Sequence, residues 1–250
     1  MGEKNKIKKY GLIGRNINYS FSKDYFNKKF KNENILNSSY KNFDLKKIGD
    51  FKSLIQQNEL LGLNVTIPYK KSIIKFLDKI DKEAQKINAV NTLVFNNKKG
   101  IIGYNTDCYG FKKALTETFV KKPKTAFILG TGGASAAVEY ALNKIKIPFK
   151  IVSRNPKSNQ IHYKELNEKI IVNHSLIINT TPLGTHPDIN KCPNIPYSAL
   201  NKTHYLFDLI YNPFTTKFLK QGLLKGAKVQ NGYKMLIYQA EKSWELWNKI

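Results

Sequence analysis

"ILGTGGASAA", Ile128–Ala137, decides the fold. It closes the apolar run "TAFIL" and opens the helical run that continues through "VEYALNKI". A glycine cluster means little alone, but between a strand and a helix it marks an anion-binding βα turn. Gly130 permits the tight turn. Gly132 lets the backbone come close to a pyrophosphate, which the free N–H groups at the helix start would face. Thr131, Gly133 and Ala134 complete the turn. The third fingerprint position holds Ser135 where Gly or Ala is usual, so Gly133 and Ala134 would supply the close packing. The plain alternative is an ordinary βα turn of small residues.

The end of the next strand narrows the ligand. A protein that binds NAD usually carries an acid there, for the ribose hydroxyls. This chain reads "VSRNPKS", with Ser153, Arg154 and Lys157 and no carboxylate. A guanidinium suits a 2′-phosphate and stacks on adenine. The residues favour NADP over NAD, against the plain alternative of a surface Arg at a strand end.

Working outward, strand and helix signals alternate along the chain. "KKYGLIGR" reads as a strand ending at Gly14. The helix after it places Phe26 and Phe30 on one face. "LLGLNVTIP" is a short strand stopped by Pro68. "KSIIKFLDKIDKEAQKI" spaces Ile73, Ile74, Leu77, Ile80 and Ala84 as one helix would. "NTLVFNNKKGIIGYNTD" reads as a hairpin turned by "NNKKG". A helix follows from Cys108, and "SLIINTTPLG" and "HYLFDLIYNP" are further strand-to-loop units. The segment between "VSRNPKS" and "SLIINTTP" is short, so its crossover helix is expected to be reduced. The last helix carries Met235, Ile237, Ala240, Trp244 and Trp247. This alternation predicts an α/β fold with a parallel sheet.

The 250 residues suffice for one large domain or two smaller ones, and 30 aromatic residues give a globular composition. No apolar run has the length of a membrane span, and the first residues lack a signal-peptide core. Gly2 is followed by Lys6 where a myristoylation site needs Ser or Thr. The expected compartment is the cytoplasm.

A net charge of +24 raises the possibility of a nucleic-acid partner. Of the 42 basic residues, however, only Arg15 and Arg154 are arginines, and the lysines are spread through the whole chain. Base and phosphate readers lean on the arginine fork. A solvated basic surface is expected, with no nucleic-acid and no membrane partner. Cys108 and Cys192 form no C-x-x-C, and the four histidines have no ligand spacing, so no metal is expected.

Eight stretches stand in one order: "GLIGRNINYSFSKDYFN", "GLNVTIPYK", "INAVNTL", "GYNTDCYGF", "LGTGGASAA", "NTTPLG", "DLIYNPFTT" and "NGYKMLIYQA". Over nearly its whole length the chain resembles the shikimate dehydrogenase family. The resemblance implies reversible NADPH-dependent reduction of 3-dehydroshikimate to shikimate, on the route to chorismate and the aromatic amino acids. It implies an N-terminal α/β substrate domain plus a Rossmann-type NADP-binding domain, with a cleft between them. The substrate domain would be residues 1–108 and 231–250, and the NADP domain residues 109–230.

Carried over by motif, the catalytic pair would be Lys70 and Asp107. Substrate would be held by Ser20, Ser22, Thr66, Asn91, Tyr211 and Gln239. The cofactor would meet Gly130, Thr131, Gly132, Gly133, Ala134, Ser153, Arg154, Thr180 and Gly232. The sequence departs from the family pattern at Tyr19, Lys23, Cys108 and Asn155. The family reading implies a small-molecule substrate and a monomer or homodimer. Alternatives are a quinate/shikimate dehydrogenase of broader substrate or cofactor use, and a non-catalytic nucleotide-binding protein on the same scaffold.

Overall fold

A computed structural model describes residues 7–18, 20–119 and 122–249. Gly2, Lys6 and Tyr19 lie outside the described residues. The chain divides into two units, Met1–Thr106 with Ala240–Ile250, and Asp107–Gln239.

The first unit is built on a mixed sheet. Its elements are β1 (Lys8–Gly14), α1 (Phe21–Asn32), β2 (Ser38–Asp44), α2 (Phe51–Gln57), β3 (Leu60–Val65), β4 (Lys79–Ile80), α3 (Lys82–Ile87), β5 (Thr92–Asn96) and β6 (Gly100–Tyr104). The strand order is β2-β1-β3-β5-β6-β4. β1 pairs in parallel with β2 and β3, while β3–β5 and β5–β6 are antiparallel.

Both faces of this sheet are covered, so β1 is buried without alternation from Tyr10 to Gly14, after two lysines at its start. Ile13, Leu63 and Leu93 point to a core with Phe51, Ile73 and Ala84. Tyr10, Leu12 and Val94 point to the other face, with Phe26, Phe30 and Trp247. The predicted pairing of Phe26 and Phe30 therefore has a partner in the chain's last turns.

The hairpin forms as its turn chemistry predicts. Asn96 Oδ1 accepts from the backbone N–H of Lys98 and Lys99, at 3.0 and 2.8 Å, and Gly100 takes a φ of +75°. The single helix predicted over residues 71–87 does not form. It is a 3-10 turn over Ser72–Phe76, then β4, then α3. Asp78 diverts the chain by exchanging hydrogen bonds with Ile101, its N–H to Ile101 O at 3.0 Å and its Oδ2 from Ile101 N at 2.7 Å. Asp81 then caps α3 by accepting from Glu83 N at 2.9 Å. Two carboxylates that prefer caps and turns outweigh the apolar spacing.

The second unit contains α4 (Asp107–Thr118), β7 (Ala126–Leu129), α5 (Gly133–Lys144), β8 (Phe149–Ser153), β9 (Gln160–His162), α6 (Glu168–Val172), β10 (Leu176–Asn179), β11 (Tyr205–Asp208), α7 (Lys217–Leu224), β12 (Lys228–Gln230) and α8 (Tyr233–Trp247). The division between the units falls within α8, after Gln239. The sheet order is β12-β11-β10-β7-β8-β9, and every pair is parallel. Counted within this unit the order is 6-5-4-1-2-3, the doubly wound dinucleotide-binding arrangement. β7, β10 and β11 are almost wholly buried, with Phe127, Leu129, Ile177 and Leu206 in one core. The crossover from β8 to β10 keeps only the five-residue α6, with β9 inserted before it.

Candidate functional site

In a doubly wound sheet the direction of winding reverses beside the first strand, and ligands sit at that switch point. Here the switch lies between β7 and β10, where the glycine turn and Thr180 meet. Thr180 N and Oγ1 both donate to Leu129 O, at 3.0 and 2.7 Å. Gly130 has a φ of +111°, and a Cβ there would lie 2.8 Å from Thr180 Oγ1. Both conditions require glycine.

Gly132 is glycine for a different reason. It caps α5 with no side-chain hydrogen bond, and a Cβ built on it would meet nothing within 4 Å. A side chain would project into open space at the helix start, where a pyrophosphate would have to come close. Thr131 is exposed beside it, and Gly133 and Ala134 are half-buried. Ser135 is fully buried, its Oγ 2.8 Å from Gly130 O. The hydroxyl fits the close-packed position by tying the turn back onto itself.

At the end of β8, Ser153 is buried and accepts from Asn155 N at 3.1 Å. That bond turns the chain outward, so Arg154 and Lys157 are exposed. The donor set thus comprises an open helix start, two exposed cations and no carboxylate at the strand end. It fits a dinucleotide bearing a 2′-phosphate.

Gly232 answers to packing. A Cβ there would lie 2.0 Å from Leu209 O, just past β11. Gly110 lets α4 and α8 approach in the same way, since its Cβ would sit 2.6 Å from Met235 O and 3.0 Å from Gln239 Cβ. Asp107, one turn earlier on the same face of α4, is 6% exposed, and Gln239 is 8% exposed. The second unit therefore brings Gln239 beside the first turns of α4. Tyr211 lies in the loop after β11 and is half-buried.

The first unit gathers the remaining residues at the ends of β1, β3 and β5. Ser20 caps α1, its Oγ accepting from Ser22 N at 3.3 Å. The loop leading to it is held by Asp44, which accepts from Asn16 N at 3.0 Å and Ile17 N at 3.2 Å. Thr66 follows β3, and the Ile67–Pro68 peptide after it is cis.

Lys70 is gripped through its backbone neighbourhood. Its carbonyl accepts from Val90 N at 2.8 Å, and the preceding Tyr69 is buried with its hydroxyl on Leu45 O at 2.6 Å. Lys70 itself is half-buried, whereas Lys71 is exposed. Thr66, Lys70 and Asn91 thus come from hydrogen-bonded neighbouring segments, since Val65 N also donates to Asn91 O at 2.8 Å. Lys70 belongs to the first unit and Asp107 to the second.

Sequence reasoning passed over a buried polar chain beneath these residues. Tyr40 donates to Asn64 Oδ1 at 2.8 Å, and Asn64 Nδ2 donates to Ser243 Oγ at 3.0 Å. The Ser243 and Thr92 hydroxyls lie 2.8 Å apart, and Thr106 Oγ1 is 3.2 Å from each. Asn91 Nδ2 donates to Thr106 Oγ1 at 2.9 Å. Tyr40 also faces Ser22, although burial holds its phenol well above the usual range. The network runs from one expected substrate serine to the expected substrate asparagine. Its sequence signal is Asn64, an amide at an inward position of an apolar strand.

Among the described residues no group of three or more His, Cys, Asp or Glu side chains could hold a metal ion, and no helix is long and apolar enough to cross a membrane.

Residues 12–93 match the family described as "Shikimate dehydrogenase substrate binding domain". The chain is 40% identical to a shikimate dehydrogenase (NADP(+)) of Methanococcus maripaludis over 262 residues, covering 98% of this chain and 93% of that protein. Its fold is similar to that of the solved shikimate dehydrogenase of Aquifex aeolicus, with a TM-score of 0.87 at 32% identity, covering 100% and 95% of the two chains. A solved shikimate dehydrogenase in complex with NADP+ superposes with a TM-score of 0.86 at 35% identity, covering 98% and 91%.

Proposed function

Because the chain belongs to the shikimate dehydrogenase family, we propose that it catalyses the reversible NADPH-dependent reduction of 3-dehydroshikimate to shikimate. The observation that carries this reading is the match to an NADP(+)-dependent shikimate dehydrogenase across 98% of the chain. The glycine turn at the switch point and the exposed Arg154 support NADP as the cofactor.

The cofactor, when bound, supplies the hydride. Everything else falls to the chain. As the ketone carbon is reduced, its oxygen gains negative charge and needs a proton. Lys70 donates that proton and is left as a neutral amine. In the reverse direction the amine takes the proton from the substrate hydroxyl. Asp107 is the second member of the proposed catalytic pair. A lysine at its ordinary pKa is a good donor and a poor base near neutrality.

Ser20, Ser22, Thr66, Asn91, Tyr211 and Gln239 supply the short hydroxyl and amide groups suited to a ring carrying a carboxylate and several oxygen functions. Gly130–Ala134 and Thr180 take the pyrophosphate side of the cofactor. Ser153 and Arg154 would take its 2′-phosphate end, and Gly232 would lie near its nicotinamide. The reading carries with it a small-molecule substrate, a role in making chorismate and the aromatic amino acids, a cytoplasmic setting, and a monomer or homodimer without nucleic acid.

The test follows NADPH absorbance with shikimate and NADP, comparing wild type with Lys70→Ala and Lys71→Ala. Lys70→Ala is expected to lose turnover by about 10²–10⁴, and Lys71→Ala to stay near wild type. Near-normal turnover of Lys70→Ala overturns the catalytic assignment.

A further inference from the structure

Asp208 ends β11 with no exposed surface. Its carboxylate accepts three hydrogen bonds. Asn179 Nδ2 and Ile210 N donate to Oδ1 at 3.0 and 3.1 Å, and Thr216 Oγ1 donates to Oδ2 at 2.6 Å. Asn179 ends the neighbouring strand β10, also fully buried, and its Oδ1 accepts from Thr181 N at 3.0 Å and Thr181 Oγ1 at 2.7 Å. Thr216 in turn caps α7, accepting from Leu219 N at 3.3 Å. One carboxylate and one amide therefore join two strand ends to the two loops that leave them. The first loop carries Thr180, which rests on the glycine turn, and the second carries Tyr211.

We propose that Asp208 is a positioning residue for the cofactor side of the site, tying the Thr180 loop to the Tyr211 loop through Asn179 and Thr216. The inference rests on the dehydrogenase reading above. A buried carboxylate is a costly way to brace two loops, and a neutral amide or hydroxyl would serve for packing alone. Its distinguishing property is that it titrates. Burial outweighs the three donors and pushes its pKa up to about 7. The titratable groups around it are phenols and a thiol. Tyr197 faces it, held above its usual range by burial and paired with Cys192, and Tyr163 beyond is pushed up to about 12. The phenols are neutral near pH 7, so the carboxyl carries the switch. In the protonated form the 2.6 Å bond reverses. The proton sits on Oδ2 and points at Thr216, whose hydroxyl must turn elsewhere.

The test uses the full chain as wild type, Asp208→Asn, Thr216→Val and Thr216→Ser. NADP affinity by calorimetry, together with KM and kcat, is followed from about pH 5.5 to about pH 9, across the titration of a buried carboxyl. An asparagine can still accept from Ile210 N and Asn179 while offering an N–H to Thr216, so it imitates the protonated carboxyl. Wild type is expected to bind NADP more tightly above a break near the carboxyl's titration. Asp208→Asn is expected to lose the break and bind about tenfold more weakly at alkaline pH, the loss of a charge-assisted bond, with kcat changed less. Thr216→Val should move the same way and Thr216→Ser should restore affinity. Wild-type NADP affinity and pH profile in Asp208→Asn overturn the proposal. If that variant does not fold, an unchanged NADP affinity in Thr216→Val does so.

Amide hydrogen exchange over residues 180–184 and 209–216 separates this inference from the reading beneath it. If wild type binds no NADP, the dehydrogenase reading falls. Faster exchange in both loops of Thr216→Val then supports the bracing role, and unchanged exchange overturns it.

Discussion

Asn91 and Thr106 hold each other by both ends of the amide. Asn91 Oδ1 accepts from Thr106 N at 2.7 Å, and Asn91 Nδ2 donates to Thr106 Oγ1 at 2.9 Å. Both residues are buried, at 3% and 1% exposure. Asn91 therefore has a structural task beside its proposed substrate contact, fixing the residue that immediately precedes Asp107.

Removing the amide tests both tasks. Asn91→Ala leaves the Thr106 N–H buried without its acceptor, which costs about 1–3 kcal/mol, read as a lower urea midpoint. The KM for shikimate is expected to rise, with the KM for NADP little changed. An equal rise in both would place Asn91 outside the substrate contacts.

Arg154 is exposed after β8 with no carboxylate in the same loop. Arg154→Ala is expected to weaken NADP by about tenfold or more, since charge-assisted hydrogen bonds contribute about 1.5–3 kcal/mol. NAD, which lacks the 2′-phosphate, should be nearly unaffected. Equal use of NAD and NADP by wild type would overturn the cofactor assignment.

Gly62 is a packing glycine in β3. A Cβ there would lie 2.2 Å from Trp247 Nε1, whose N–H donates to Leu93 O at 2.9 Å. Gly62→Ala is expected to cost about 1–3 kcal/mol by overpacking. Denaturant titration followed by tryptophan fluorescence reads both the loss of stability and the displaced indole.

The Asp208 carboxyl also makes stability depend on pH. Its pKa is raised from the ordinary carboxylate value to about 7. Between about pH 4 and that value the folded state keeps a proton that the unfolded chain has released. The contribution of this group is full below the unfolded pKa and is lost as pH rises through the folded one. Asp208→Asn should therefore flatten the fall in stability across that window, measured by urea unfolding at several pH values. An unchanged slope would assign the fall to other groups.

The parts of the fold that could be read from the chain are those where one residue type answers a local demand. Gly130 must take a positive φ against Thr180, Phe26 and Phe30 must share a helical face, and "NNKKG" must turn a hairpin. The segment over residues 71–87 misled because apolar spacing does not record what Asp78 and Asp81 bind. β2 went unread because "SSYKNFD" is a polar edge strand whose pairing comes entirely from β1. The site divides in the same way. The glycine turn and its arginine announce themselves through local spacing. The bed beneath Asn91 does not, because Asn64 and Ser243 are 179 positions apart and each alone looks like a loop residue.

That separation has a consequence for the order in which the protein can be made. Trp247 stacks on Tyr10 with ring centres 5.0 Å apart, and Ser243 completes the buried hydroxyls around Thr92. The first hundred residues emerge from the ribosome long before these partners exist. Until α8 arrives, one face of their sheet has α1 alone for cover, and the hydroxyls around Thr92 lack Ser243. The second unit, a continuous stretch of chain, can fold while the first is still waiting, so the part made first is finished last. During synthesis Tyr10, Phe26 and Phe30 pack on one another but wait for the two indoles, Trp244 and Trp247, that close over them.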